Sequence, residues 1–301
     1  MKVRAALALL CCAAANVGCL AFHEGPLPGK PRVGEFADVD GAHVRFVDRG
    51  EGPPVVLVHG FASSLDVWDA VIDELAKEHR VLALDLKGFG WSSRPEGDYS
   101  PAAEARLVLG LMTARGIDKA AVVAHSWGSS VALSMALEAP ERVTKLALYD
   151  AWVYEEQLPT MFVWARAGGV GEALFAAFYD ERVEDKIPIG FYDPKYVTQP
   201  IVDGAEKALA FPGTKAAALA AVRGQRFAAL QERYRQVKQP TLLLWGREDR
   251  VTFVTFGERL LRELPDAKMH VYPRCGHFPM VEAAAESTHD LVAFLHVGAE
   301  K

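Results

Sequence analysis

The feature that most constrains the fold is a regular alternation between short apolar runs and segments of helix length. The apolar runs are HVRFVD from His43, VVLVHG from Val55, RVLALDL from Arg80, AAVVAHS from Ala120, VTKLALYD from Val143, PTLLLWG from Pro240 and KMHVYP from Lys268. Segments such as 64–78, 101–115 and 127–138 lie between them. Strands that are apolar along their whole length and separated by helices predict a largely parallel sheet covered on both faces. The turn at Asp40-Gly41 predicts that the first strands pair antiparallel.

One long gap interrupts this alternation. Residues 151–237 contain no clear strand and have the pattern of helical stretches. Because a structureless loop of that length is improbable in a compact domain, we predict an inserted helical lid there. The core then comprises residues 32–150 and 238–301. The lid carries many large apolar side chains, which we expect mostly to form its own core: Tyr154, Met161, Phe162, Trp164, Phe175, Phe178 and Tyr179.

The N-terminus has the pattern of an export signal. Residues 1–18 carry two cations and then an apolar run that is too short and too rich in small residues to span a bilayer. The sequence NVGC, which ends at Cys19, resembles a bacterial lipobox with an asparagine in place of the usual leucine. We expect export, either to the periplasm or as a lipoprotein tethered to the membrane through Cys19. Residues 19–31 are rich in proline and glycine and are predicted to be a tether.

Charge and cysteine content exclude several classes of function. The chain has a formal net charge of -6 and no dense Lys/Arg run, which argues against nucleic-acid binding. Cys275 is the one cysteine expected to remain in the folded core, so no internal disulfide is predicted. The stretch DLKGFGWSS lacks the third glycine and the following acid of a dinucleotide site, and Asp85 within it is expected to shape its loop. We therefore predict no cofactor and no metal.

A serine stands where a predicted strand passes into a helix. In VVAHSWGSSVAL, Ser126 ends an apolar run and has the small residues Ala124 and Gly128 two positions away on either side. Ligands of an open parallel sheet bind beyond the C-terminal ends of its strands. A strained turn that presents a nucleophile requires small flanking residues. Ser126 is thus a candidate nucleophile, and the alternative is a serine that caps the following helix.

Two motifs resemble the α/β-hydrolase family. AHSWG resembles its GxSxG elbow, with Ala124 in place of the first glycine, and VVLVHGFASS resembles its His-Gly segment. The resemblance implies an oxyanion hole formed by the backbone N–H groups of Phe61 and Trp127. It also implies an eight-stranded, mostly parallel sheet flanked by helices, with an inserted lid. His59 is expected to shape the turn, because another histidine fills the position of the base.

The same resemblance identifies the remaining triad members. LLLWGREDRV places Asp249 after the next-to-last strand, where the family keeps its acid, with Glu248 and Asp150 as rivals. YPRCGHFPMVE places His277 in a loop that resembles the family's catalytic-histidine loop. The order serine, acid, histidine is the one that this fold uses. Cys275, next to this loop, is expected to be a buried packing thiol.

These residues imply a covalent mechanism in which Ser126 attacks an acyl carbon, His277 transfers the proton and water releases the acyl group. The aromatic lid favours a small lipophilic acyl substrate. We predict a serine hydrolase that cleaves lipophilic carboxylic esters. The alternatives are a carbon–carbon bond hydrolase, a lactonase or a perhydrolase on the same triad, or a noncatalytic ligand-binding module of the same fold.

Overall fold

The computed structural model describes residues 25–179 and 182–296. The predicted signal at residues 1–18 and the predicted lipidation site at Cys19 lie outside these residues. Within the described ranges, no helix is both long enough and apolar enough to cross a membrane.

A single sheet of eight strands organises the described part of the chain, in the order β1-β2-β4-β3-β5-β6-β7-β8. β2 pairs antiparallel with β1 and β4, and every other neighbouring pair is parallel. The predicted α/β fold with a mostly parallel sheet is confirmed. The strands are β1 (Glu35–Val39), β2 (Ala42–Arg49), β3 (Pro54–Val58), β4 (Arg80–Leu84), β5 (Ala120–His125), β6 (Val143–Tyr149), β7 (Thr241–Gly246) and β8 (Ala267–Tyr272).

The central strands are apolar throughout because both of their faces are covered. In β5, Val122 and Ala124 join the core cluster on one face of the sheet, and Ala121 and Val123 join the cluster on the other. Successive side chains of a strand point to opposite faces, so a strand covered on both sides needs an apolar residue at each position. This packing holds the C-terminal end of β5 rigidly in the middle of the sheet.

Local chemistry sets the ends of several elements. The turn between β1 and β2 places Asp40 and Gly41 at φ of 48° and 76°, as a two-residue hairpin requires. Ser100 caps a long helix by accepting a hydrogen bond from the Ala103 N–H, and Pro101 occupies the first helical position. The α-helices are α1 (Asp69–Leu75), α2 (Pro101–Ala114), α3 (Gly128–Glu138), α4 (Thr160–Ala165), α5 (Val170–Phe178), α6 (Val183–Lys186), α7 (Gln199–Leu209), α8 (Thr214–Gly224), α9 (Ala228–Gln231), α10 (Val254–Glu263), α11 (Pro279–Glu282) and α12 (Ala284–His296).

The chain between β6 and β7 contains α4–α9 and short 3-10 turns, and its described residues form no strand. We call residues 151–237 the lid. Its own small core contains Phe175 and Tyr179 of the aromatic residues considered above, and Phe162 packs against that core. Trp164 and Phe178 are instead 61% and 52% exposed, so their assignment to the lid core is wrong. Both lie on helices whose outer faces meet solvent.

Candidate active site

Ser126 lies at a strained turn directly after β5. Its φ is +52°, a left-handed conformation that non-glycine residues rarely adopt. The Ser126 N–H donates to the Tyr149 carbonyl at 2.9 Å, which ties the turn to the neighbouring strand. Crowding explains the small residues around it: a Cβ at Gly128 would lie 2.4 Å from the His59 carbonyl oxygen, and one at Gly60 would lie 2.9 Å from the Ser126 Cβ. The turn has the geometry of a nucleophile elbow.

The structure brings Asp249 and His277 together in a buried hydrogen bond. His277 Nδ1 lies 2.8 Å from Asp249 Oδ2, and the two side chains are 6% and 0% exposed. Asp249 also accepts hydrogen bonds from the Val251 N–H at 2.7 Å and from the Thr252 hydroxyl at 2.5 Å. Burial opposes ionisation of Asp249, but the charge of His277 and these hydrogen bonds outweigh it and lower its pKa. The ionised acid leaves Nε2 as the ring nitrogen of His277 that is available for proton transfer.

His125 places the His277 loop beside the elbow. His125 immediately precedes Ser126, its Nε2 lies 2.8 Å from the His277 carbonyl oxygen, and the two imidazole rings are 4.7 Å apart. Complete burial and the neighbouring His277 hold the pKa of His125 well below its ordinary value, so the ring is neutral and its Nε2–H donates. The Asp249–His277 pair therefore lies beside the turn that carries Ser126, near the C-terminal ends of β5, β7 and β8.

The predicted oxyanion donors flank the elbow. Trp127 immediately follows Ser126, and the Phe61 and Trp127 rings lie 6.2 Å apart in an edge-to-face arrangement. Within the hydrogen bonds of the described residues, neither the Phe61 nor the Trp127 backbone N–H has an acceptor. Two free N–H groups beside a nucleophile are what an oxyanion hole requires.

An aromatic wall surrounds these donors. The Phe61 ring contacts Phe89 at 5.4 Å on the core side, and Phe162 at 5.4 Å and Tyr179 at 6.5 Å on the lid side. Such a wall favours the apolar portion of a substrate and offers no counter-charge of its own. The core and the lid thus both contribute rings to this wall.

The lid also contacts the catalytic histidine loop directly. The His277 N–H donates to the Gly190 carbonyl at 2.7 Å. The Glu282 carboxylate accepts from the Gly276 N–H at 2.6 Å and from the Tyr192 N–H at 3.0 Å. Because one carboxylate binds both segments, the position of the lid is coupled to the position of the base.

His59 and Asp85 have the structural roles expected of them. His59 Nδ1 lies 2.7 Å from the Gly60 carbonyl oxygen, and His59 Nε2 accepts from the Leu86 N–H at 2.9 Å. Burial lowers the pKa of His59 to about 4, so the ring is neutral. Asp85 accepts from the Leu65 and Trp91 N–H groups, both at 2.7 Å, and fixes the loop after β4. Neither side chain is free for catalysis.

The two rival acids have different environments. The Glu248 carboxylate accepts a hydrogen bond from the Cys275 N–H at 3.0 Å and so holds the loop that precedes His277. Asp150 is completely buried at a φ of +43°, and its Oδ1 accepts from the Gly246 N–H at 2.9 Å. Burial and the charge of Asp249 raise the pKa of Asp150 well above its ordinary value, which favours its protonated form. Of these acids, Asp249 is the one that carries the hydrogen bond to the His277 ring.

Asp150, Asp249 and His277 offer ligand atoms that lie within 4.8 Å of one another, which is also the spacing of a metal site. Here, however, the hydrogen bond between His277 Nδ1 and Asp249 Oδ2 uses the two atoms that a cation would need. The cluster suits the orientation of an imidazole better than metal binding.

Sequence reasoning missed three contributors to the site: Thr252, His125 and the Gly190 carbonyl. Thr252 lies three residues after Asp249, and this spacing is a recognisable signal for a local side-chain turn. His125 was visible within the elbow motif, but nothing in the sequence indicated its contact with a loop 152 residues away. The Gly190 contact depends on where the lid folds back onto the core.

Comparisons with known proteins agree with this geometry. A family model described as alpha/beta hydrolase fold matches residues 53–191. The chain is 30% identical to a 2-hydroxy-6-oxo-6-phenylhexa-2,4-dienoate hydrolase of Burkholderia cepacia, over 79% of this chain and 85% of that protein. These similarities indicate that the protein is a hydrolase.

Two solved structures extend the comparison. A meta-cleavage product hydrolase, solved as a point mutant, has a TM-score of 0.75 and 29% identity, and the match covers 87% of this chain and 98% of that one. A membrane phospholipase A described as a bacterial virulence factor has a TM-score of 0.73 and 26% identity. The match covers 98% of this chain and 94% of that one. Ester cleavage in particular is not confirmed by the similar proteins, which fit the predicted carbon–carbon hydrolase alternative better.

Proposed function

Because the chain belongs to the α/β-hydrolase fold family, we propose that it uses Ser126 to cleave a bond next to a carbonyl carbon in a largely apolar substrate. Carbon–carbon bond hydrolysis of a meta-cleavage product is the first candidate reaction. The observation that carries the proposal is the buried Asp249–His277 pair beside a strained serine elbow. The relative from Burkholderia cepacia supports the choice of bond.

The hydrogen bond between Asp249 and His277 anchors the proposed roles. Ionised Asp249 fixes the proton of His277 on Nδ1 and stabilises the imidazolium that forms when Nε2 takes the proton of Ser126. The serine oxygen attacks the carbonyl carbon, and the N–H groups of Phe61 and Trp127 stabilise the oxyanion. The imidazolium then protonates the departing carbon, and water, activated by the same imidazole, hydrolyses the acyl-enzyme.

The first experiment measures turnover of 2-hydroxy-6-oxo-6-phenylhexa-2,4-dienoate by the full chain, followed as loss of the dienoate absorbance. We expect turnover that falls by about 10⁴-fold in Ser126→Ala. A matched control is Ser129→Ala, which changes a buried serine on the first turn of α3 that is not assigned to catalysis. Turnover that survives in Ser126→Ala would overturn the proposed role of the serine.

An uncharged ester is the second candidate substrate, and the charges of the lid favour it. A dienoate carries a carboxylate, which a buried site binds best with a free cation. Arg166 and Arg223, two half-buried arginines of the lid, are each paired with a lid carboxylate, Glu155 and Glu172, at 2.9 Å. The membrane phospholipase A that matches 98% of this chain is a further reason to test esters.

The two candidates are separated by a second substrate panel. We would measure kcat/KM for p-nitrophenyl esters of increasing acyl length beside the dienoate, with Ser126→Ala as the control for each. A kcat/KM for the best ester that exceeds that for the dienoate by tenfold or more would replace carbon–carbon hydrolysis with ester hydrolysis. No Ser126-dependent turnover of either class would favour the noncatalytic ligand-binding alternative.

We also propose that residues 1–18 direct export and that Cys19 is acylated to tether the protein to a membrane. Two cations followed by a short apolar run, and the lipobox-like NVGC, support this proposal. Expression of the full chain with labelled palmitate, beside Cys19→Ser, tests it. We expect label and membrane association only with Cys19. Label that persists in Cys19→Ser, or a protein recovered unlabelled from the cytoplasm, would contradict it.

A further inference from the structure

A second cavity lies where the N-terminal segment, the loop after β4 and the lid meet. Its volume is about 650 Å³, within the range of small-molecule sites. Its lining comes from the three segments 25–36, 91–94 and 212–213, together with His43 of β2. None of the triad residues, the oxyanion donors or the aromatic wall around Phe61 lines it. It is therefore separate from the proposed catalytic pocket.

The charges around this cavity are positive. Lys30 and Arg94 line it, and no carboxylate is found among its described lining residues. Asp38, outside the lining, pairs with His43 at 2.8 Å, so that ring has its own acceptor. The lining of this cavity is positively charged although the chain as a whole has a net charge of -6. Such a lining would attract an anion.

Arg94 is a half-buried cation without an ion-pair partner among the described residues. Its guanidinium donates to the Thr214 hydroxyl at 3.1 Å, to the Gly90 carbonyl at 2.8 Å and to the Ser92 carbonyl, all of which are neutral acceptors. Burial lowers the pKa of Arg94 to about 10, which indicates a charge whose lost solvation is not fully replaced.

The carboxylate of Asp85 is already paired elsewhere, and the guanidinium of Arg94 has unused N–H donors. Asp85 interacts electrostatically with Arg94, but it pairs with Arg45 at 3.3 Å and accepts two backbone N–H groups. A guanidinium has five N–H donors, and the three acceptors of Arg94 leave one N–H on each terminal nitrogen. A planar carboxylate matches such a pair of donors.

The rest of the lining is apolar and aromatic. The Trp91 ring packs edge-on against Phe211 of the lid at 4.9 Å, and Phe36 stacks on His43 at 4.7 Å. Leu27 and Pro212 complete the apolar surface. A ligand that satisfied both the charge and these walls would need an anionic head and an apolar body.

We propose that this cavity binds a carboxylate with an apolar or aromatic body, with Arg94 as the ligand of the head group and Trp91 and Phe36 in contact with the body. Such a ligand would touch the N-terminal segment, the core and the lid at once. Its binding is independent of which bond the triad cleaves, because no catalytic residue lines the cavity.

Photo-crosslinking locates the site without a variant. Full-length protein would be irradiated with a dodecanoate that carries a diazirine on its chain, and the labelled peptides would be mapped by mass spectrometry. We expect label in the segments 25–36 and 91–94, reduced by excess dodecanoate and not by dodecanol. Label confined to Phe61, Trp127 and Phe162 would place the carboxylate in the catalytic pocket and overturn the proposal.

Binding of dodecanoate by calorimetry tests the role of Arg94. In Arg94→Gln we expect the Kd to rise by about tenfold or more, because a charged head group loses its counter-ion. Lys195→Gln, which removes an exposed lid cation paired with Asp193, is the control and should bind as tightly as the wild type. Equal affinity of a folded Arg94→Gln and the wild type would overturn the proposal. If Arg94→Gln does not fold, Trp91→Leu and the crosslink map decide the question.

Discussion

The core side and the lid side of the catalytic pocket are held by different kinds of contact. On the core side, Asp249 accepts hydrogen bonds from His277, Thr252 and the backbone of Val251, and the His277 loop is held by the ring of His125. On the lid side, the Gly190 carbonyl accepts from the His277 N–H, but the wall around Phe61 consists of rings such as Phe162 that pack on other rings. Hydrogen bonds fix both distance and angle, whereas ring contacts tolerate small shifts.

This difference separates the two tasks of the site. Proton transfer needs its groups within hydrogen-bonding distance, so the core groups are placed by directional bonds from rigid strand ends. Substrate selection needs a matching shape, which apolar side chains on short helices can provide and change. We therefore expect substitutions in the core to affect kcat for every substrate, and substitutions in the lid to affect some substrates more than others.

The largest effect is expected at the acid. In Asp249→Asn, the amide cannot keep the proton of His277 on Nδ1, and kcat should fall by about 10³- to 10⁴-fold for all substrates. Glu248→Gln is the matched control, since Glu248 binds the Cys275 N–H and should keep kcat within about threefold. Steady-state kinetics on one ester and on the dienoate would test both variants. A greater loss in Glu248→Gln than in Asp249→Asn would show that the acid has been misassigned.

A smaller core effect is expected at Asp150. Because burial raises its pKa, Asp150→Asn keeps a neutral side chain of the same shape, and kcat should change by less than about threefold. Asp150→Ala leaves the buried Gly246 N–H without its acceptor, which should lower kcat by about tenfold and cost about 1–3 kcal/mol of folding free energy. Equal losses of activity in the two variants would show that Asp150 acts as an ion.

The pH dependence of folding stability gives a second test of the protonation state of Asp150. Above the ordinary value of 3.8, the unfolded state releases a proton that folded Asp150 retains, so this group makes the folded state less stable as pH rises. Asp150→Asn removes that contribution. Its melting temperature relative to the wild type should increase between pH 4 and pH 7, and a constant difference would argue against a neutral Asp150.

The core was more predictable from sequence than the lid, for a physical reason. The run from Ala120 to His125 is apolar at nearly every position because both sheet faces are covered, and this constraint can be read without a structure. The turn around Ser126 could also be predicted from the sequence, since crowding restricts position 128 to a small residue, here Gly128. Long-range contacts could not be predicted in this way. Asp150 lies beside Asp249 and His277 only because β6 and β7 are neighbours in the sheet.

In the lid, composition indicated helices but not their orientation. Phe162 and Trp164 are two residues apart on α4, yet Phe162 packs on Phe61 while Trp164 is 61% exposed. Helical periodicity alone places such neighbours on different faces, but it does not say which face meets the core. That choice depends on tertiary packing of several short helices, which the sequence of any one of them does not determine.

This pair also gives the most direct test of the lid side. Phe162→Ala should widen the pocket beside Phe61 and shift the preferred acyl length, with kcat/KM for long and short substrates changing by about tenfold relative to each other. Trp164→Ala, on the same helix but exposed, should leave the ratio within about twofold. The measurement is kcat/KM along a chain-length series. A uniform loss at every length in Phe162→Ala would mean that the lid positions the catalytic groups instead of selecting substrates.

The smallest expected effect concerns a core polar group that is not well paired. Glu104 on α2 is fully buried; its Oε2 accepts from the Lys87 N–H at 3.2 Å, and its Oε1 has no partner among the described residues. Burial raises its pKa from 4.5 to about 8, although the charge of Lys87 opposes the shift. Between these two values the folded state holds a proton that the unfolded state releases, so this group lowers stability as pH rises.

Glu104→Gln should remove that slope. Because glutamine has the shape of the protonated acid, the melting temperature of the variant should gain about 2–5 °C on the wild type between pH 5 and pH 8.5. Glu51→Gln, at an exposed position, is the control and should show no such gain. Activity should be unchanged, because Glu104 lies outside the catalytic pocket. If the wild type and Glu104→Gln differ by the same amount at both pH values, Glu104 is ionised in the fold, and the core tolerates a buried charge at this position.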